Sequence, residues 1–181
     1  MKLSPWWLLM LPLAASANDM DTGRQVAGKF KQSLMHVLTQ AVQEGGPVAG
    51  INVCHGSAKV LAEQLGKAHG VTLGRIGTRT RSPANAPVAH WQQVLLKTME
   101  QQPQPQLVAV DGKRFYIEPL RIQAQCLVCH GSPEPAVKTA LAKYYPDDQA
   151  TGYQLGELRG LVWVQLPLDN RSEDPQDDRP L

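Results

Sequence analysis

The chain has 181 residues and a mass of 19.8 kDa, enough for one compact domain with its own core. With 43% hydrophobic and 19% charged residues it is neither a disordered chain nor a polytopic membrane protein, and a net charge of +2, evenly spread, marks no nucleic-acid-binding face. Three cysteines are too few for a disulfide-stapled scaffold, and their odd number leaves one to be explained separately.

The N-terminus reads as an export signal. Lys2 precedes an apolar run from Pro5 to Ala15 containing Trp6, Trp7, Leu8, Leu9 and Leu11, and Ala15-Ser16-Ala17 supplies the small-x-small pattern of a cleavage site. The run is shorter than the ~20 residues a membrane-spanning helix needs. The expected division is a signal peptide over 1–17, a folded domain over 18–168 and an acidic disordered tail over 169–181. The mature product is then periplasmic, with no integral membrane segment.

In chain order, Val26, Phe30, Leu34, Val37, Leu38, Ala41 and Val42 recur at helical spacing, predicting a helix over 22–44 ended by Gly45-Gly46-Pro47. A second helix is expected after Asn52, with Cys54, Ala58, Leu61, Ala62 and Leu65 inward, closed by Gly70. Val71 to Arg81 reads as a strand, followed by a turn-rich segment over 82–87. Trp91, Val94, Leu95 and Met99 mark a third helix. The period then changes to two. Leu107–Val110 and Arg114–Ile117 flank Asp111-Gly112, which suits a tight hairpin, and Gly160 to Leu166 forms a last strand. Helices first and an antiparallel sheet later predict an α+β fold.

The chemistry concentrates in Cys126-Leu127-Val128-Cys129-His130. In an exported protein, Cys-x-x-Cys-His reads as a covalent haem attachment site. Two thiols at this spacing can each form a thioether with a haem vinyl group, and the adjacent His130 is then held beneath the iron. Competing readings are a redox-active disulfide between Cys126 and Cys129, which lacks a βαβ context, and a zinc site built with Cys54. Adjacent Cys and His are awkward zinc ligands because their side chains diverge.

Two thioethers leave Cys54 as a lone thiol. It is either an inert core cysteine or the second axial ligand of the iron. His55 is its rival, since Cys54-His55-Gly56 echoes Cys129-His130-Gly131, although Ile51 stands where a second attachment motif would need a cysteine. His36, His69, His90, Met35 and Met99 are weaker candidates. The residues themselves leave Cys54 and His55 open.

Several segments together resemble a known family of exported single-haem c-type proteins with a PAS-like fold, found also as sensory modules of bacterial receptors. They are Val53-Cys54 with Ala58, Arg75 through Asn85 with Trp91, Cys126 through Gly131, Tyr145 through Tyr153, then Gly156 and Arg159-Gly160. The resemblance implies a central antiparallel sheet with flanking helices around one covalent haem c, and axial ligation by His130 and Cys54.

Thiolate ligation favours Fe(III) and a low reduction potential, and two filled axial positions argue against an enzyme. The expected role is an electron carrier serving a redox partner protein of unknown identity; the alternative is a redox or gas sensor acting through a separate partner. Among the basic residues, Arg81 and Arg159 are the chosen pair for the haem carboxylates, ahead of Arg75 and Arg79. Tyr153 is assigned to the core, and Asp147-Asp148 to a polar loop.

Overall fold

The computed structural model describes residues 13–167. The acidic tail expected over 169–181, and most of the expected signal segment, lie outside the described residues. Helix α1 (Leu13–His69) is broken at Gly45 and Gly46, which leave helical geometry and fold it into two arms. The first arm starts ahead of the expected Thr22 because tertiary contacts hold its early turns. Met20 packs against the main core, and Asp19 pairs with Arg114 of the sheet at 2.5 Å. The second arm resumes at once after Gly46, not after Asn52, because Pro47 in a first turn is pre-set for helix. Gly70, at φ 64°, closes it as expected.

Strand β1 (Thr72–Gly77) stops short of Arg81, since beyond Gly77 the chain leaves the ladder and Thr78 turns to bond Arg159 and Tyr153. Helix α2 (His90–Gln101) buries Leu95 and Met99. Strands β2 (Gln106–Val110) and β3 (Lys113–Arg121) form the expected hairpin, with Asp111 and Gly112 both at positive φ. The short helix α3 (Leu127–His130) follows, then α4 (Pro135–Tyr144) and β4 (Leu158–Leu166). Helix α4 escaped the sequence reading, although Val137, Ala140 and Leu141 show the three-and-four spacing that buries it. Among the described residues no helix is long and apolar enough to cross a membrane.

The four strands form one antiparallel sheet in the order β1-β4-β3-β2. Strand alternation divides its residues between two cores. Leu73, Tyr116, Val162, Val164 and Leu166 face α1, where Val26, Ala27 and Phe30 meet them. Ile76, Phe115, Ile117 and Leu161 face α2 on the other side. The architecture is thus α+β, with helices on both faces of an antiparallel sheet.

One carboxylate enters the α1 face. Glu118 is only 6% exposed; Tyr116 Oη donates to its Oε2 at 2.8 Å, and Lys31 Nζ lies 2.6 Å from Oε1. Burial first, then the neighbouring carboxylate, push the Tyr116 phenol above its ordinary range, so it stays a donor. Tyr116→Phe strands one buried carboxylate oxygen and is expected to cost about 1–3 kcal/mol in urea unfolding. An unchanged midpoint would show that Lys31 alone satisfies Glu118.

Candidate functional site

Between the two arms of α1 and the sheet lies a cavity of about 390 Å³, within the range of about 300–1,000 Å³ typical of cofactor sites. Phe30, Leu34 and Leu38 come from the first arm, Ile51 and Cys54 from the second, and Val162 and Leu120 from the sheet. Cys126, Cys129 and His130 close the opposite side. The kink at Gly45-Gly46 makes this enclosure, because a straight helix cannot wall one cavity with both Phe30 and Cys54.

Local structure explains how the motif presents its three side chains together. A 3-10 turn (Ala124–Cys126) runs directly into α3, with Gly131 N bonding Leu127 O at 2.8 Å to end it. On one helical turn, positions i, i+3 and i+4 share a face, which puts Cys126, Cys129 and His130 on the cavity wall. All three cysteines are free thiols. Burial raises the Cys129 thiol, with the Arg81 charge opposing it.

His130 Nδ1 lies 2.7 Å from the Ala150 carbonyl, which can only accept, so the proton sits on Nδ1. Nε2 is then the nitrogen with a lone pair to offer. Burial first, then the charges of Arg81 and Arg159, lower the His130 pKa to about 3, so the ring is neutral throughout the physiological range. A neutral imidazole of fixed tautomer is the form a metal requires.

Cys54 lines the cavity from the second arm. Burial pushes its thiol up, against the pull of the Arg75 and Arg81 charges. His55 lies outside that lining. Its ring packs against Tyr144 and Tyr145, with centroids at 5.5 and 5.3 Å. Of the weaker candidates, Met35 also lines the cavity, Met99 is buried on the far face of the sheet, His36 and His90 are exposed, and His69 lies 3.4 Å from Lys29.

The arginines separate by their partners. Arg81 Nε donates to Asp148 Oδ2 at 3.0 Å, and its Nη2 bonds the carbonyls of Cys129 and Ala150 at 2.7 and 3.1 Å. Arg159 Nη1 donates to Arg79 O at 2.7 Å, and its guanidinium lies over the Tyr153 ring. Arg79 stacks on Tyr153 at 3.5 Å and pairs with Glu157. Tyr153 is a core residue, 3% exposed, as expected. Asp147 and Asp148 lie in a loop as expected, but the Asp148 side chain turns inward to Arg81 and is 8% exposed, which the sequence did not show.

The residues fit a haem. The cavity is mostly apolar, carries two thiols spaced for thioethers beside a neutral imidazole, has a third thiol on the second arm, and includes no Asp or Glu in its lining. Among the described residues no three His, Cys, Asp or Glu side chains cluster closely enough to hold a bare metal ion.

Fold and site together define an α+β protein with a cofactor-sized cavity walled by a Cys-x-x-Cys-His helix. The crystal structure of the cyanobacterial heme-protein Tll0287 is similar, with a TM-score of 0.53 and 24% identity over 61% of this chain and 69% of that one. The model of the Tll0287-like family matches residues 13–167, and the chain belongs to that family. A comparison with curated proteins finds no match.

Proposed function

We propose that the protein is an exported monohaem c-type cytochrome with a PAS-like fold that carries single electrons between partner proteins. The observation that carries this reading is the convergence of Cys126, Cys129 and His130 with Cys54 on one apolar cavity. Membership of a family with a heme-protein relative supports it, and the Ala15-Ser16-Ala17 pattern supports export to the periplasm. Bound there, haem supplies a one-electron Fe(III)/Fe(II) couple.

The chain's own residues do the rest. Cys126 and Cys129 anchor the cofactor as thioethers. His130, its Nδ1 proton held by Ala150, leaves Nε2 free to bind, and Cys54 offers from the second arm a thiol that would lose its proton on binding Fe(III). Phe30, Leu34, Leu38 and Ile51 exclude water, which limits reorganisation during electron transfer.

The test is the full chain exported with the haem-attachment machinery. Intact mass is expected to show one covalent haem, lost in Cys126→Ser/Cys129→Ser. Electron paramagnetic resonance is expected to show a low-spin thiolate signal that Cys54→Ala abolishes and His55→Ala leaves intact. A low-spin bis-histidine signal that His55→Ala abolishes and Cys54→Ala leaves intact moves the ligand to His55. Absence of covalent haem in the parent chain defeats the cytochrome reading, and ready replacement of Cys54 by carbon monoxide turns it toward a sensor.

A further inference from the structure

The charges on the cavity wall do not balance. Its lining includes Lys31, Arg75, Arg81, Arg121 and Arg159, and no acidic residue. Three of these cations are committed elsewhere. Lys31 pairs with Glu118, Arg81 with Asp148, and the exposed Arg121 donates to Gly156 O. Arg159 has a carbonyl and the Tyr153 ring for company but no carboxylate. Among the described residues Arg75 has neither a hydrogen bond nor an ion pair; its guanidinium lies 5.9 Å from the Phe30 ring centroid, and the polar groups whose charge it feels are the Cys54 thiol and the Tyr145 phenol.

Sheet geometry explains why Arg75 is there. On β1, Leu73 and Arg75 share the face toward α1, and Arg75 pairs in register with Val162, itself part of the cavity lining. Arg75 therefore stands in the row of the sheet that floors the cavity. Burial lowers its pKa, but a guanidinium still stays charged at any working pH. A half-buried cation with no counter-charge is costly, and a ligand carboxylate would offset that cost.

We infer that Arg75, with Arg159, holds the two carboxylates along one edge of the bound haem, and that Arg81 serves the protein's own loops. This rests on the haem reading above. It replaces Arg81 with Arg75 in the pair expected from sequence. Setting aside the exposed Arg121, two half-buried cations without carboxylate partners match the two negative charges of a haem dicarboxylate, and a guanidinium can grip a carboxylate through two parallel hydrogen bonds.

The experiment uses the full mature chain with Cys126→Ala/Cys129→Ala, so that haem binds reversibly while His130 and Cys54 remain. The probes are haemin and its dimethyl ester, which lacks both negative charges. Arg75→Gln is expected to weaken haemin binding about tenfold, the scale of one charge-assisted pair, and to leave ester binding unchanged. Arg75→Lys, which keeps the charge but not the fork, should lose less. Circular dichroism of each variant confirms that the fold is intact.

Equal weakening of both probes would overturn the proposal and assign Arg75 to the Cys54 thiol or the fold. No weakening of haemin would overturn it as well. If the double-alanine parent binds neither probe while the wild-type chain carries covalent haem by mass, the carboxylate contacts contribute too little to hold the cofactor, and the proposal falls while the haem reading stands. If the wild-type chain carries no haem, both fall.

Discussion

Asp148→Ala is expected to lower folding stability by about 3–5 kcal/mol, the usual cost of leaving one partner of a buried ion pair alone. The two side chains are 9% and 8% exposed, so solvent screens them little. Asp148 does more than neutralise Arg81. Its Oδ1 accepts from Ala150 N at 2.8 Å, while Arg81 Nη2 reaches Ala150 O and Cys129 O. Ala150 O is also the acceptor that fixes His130. Removing the carboxylate therefore frees the segment that sets the imidazole tautomer as well as uncovering a buried guanidinium.

Two measurements check this. Urea unfolding at neutral pH gives the stability loss, and the yield of covalent haem reports on presentation of the motif. Arg81→Met/Asp148→Leu should recover much of the lost stability, because removing both charges abolishes the penalty that removing one creates. A loss below about 1 kcal/mol for Asp148→Ala would mean that water or backbone groups satisfy Arg81 without it.

The second large effect is at Gly160. Its φ is 146°, a region side chains rarely enter, and a Cβ there would overlap the Ile76 carbonyl and approach Gly77 Cα to 2.9 Å. The obstacle is backbone in the paired strand, so no side-chain rotation relieves it. Gly160→Ala is expected to cost about 2–5 kcal/mol from strain and overpacking together. Because Gly160 pairs with Gly77 on one side and Leu120 on the other, the damage falls at the sheet end that carries Arg159 and borders the cavity. Gly156→Ala is the control. It shares a positive φ, 80°, but its Cβ would meet nothing within 4 Å, so only backbone strain of about 1–2 kcal/mol applies. Equal losses for the two variants, by thermal or urea unfolding, would show that steric approach at Gly160 is unimportant.

Local rules made much of this protein readable. The grouping of Cys126, Cys129 and His130 on one cavity wall was legible because a single helical turn delivers that spacing to one face. The Asp111-Gly112 hairpin and the Gly70 helix stop followed from backbone geometry confined to a few residues. Inward placement of Cys54 followed from its register with Ala58 and Leu61.

Other features were settled across the chain. The early start of α1 depends on Met20 and Asp19 finding the core and Arg114. Helix α4 had a readable pattern, but its buried side meets Ile51, far away on the second arm of α1.

By itself, then, the sequence determined the Cys-x-x-Cys-His spacing, the α+β class and the buried faces of α1 and α2, because those depend on neighbours three or four positions apart. Only the tertiary structure decided which cations remain for a ligand. Arg81 was preferred to Arg75 on sequence until folding brought Asp148, 67 positions distant, against it. Whether a charge is paired depends on its surroundings in three dimensions, and no local pattern encodes that.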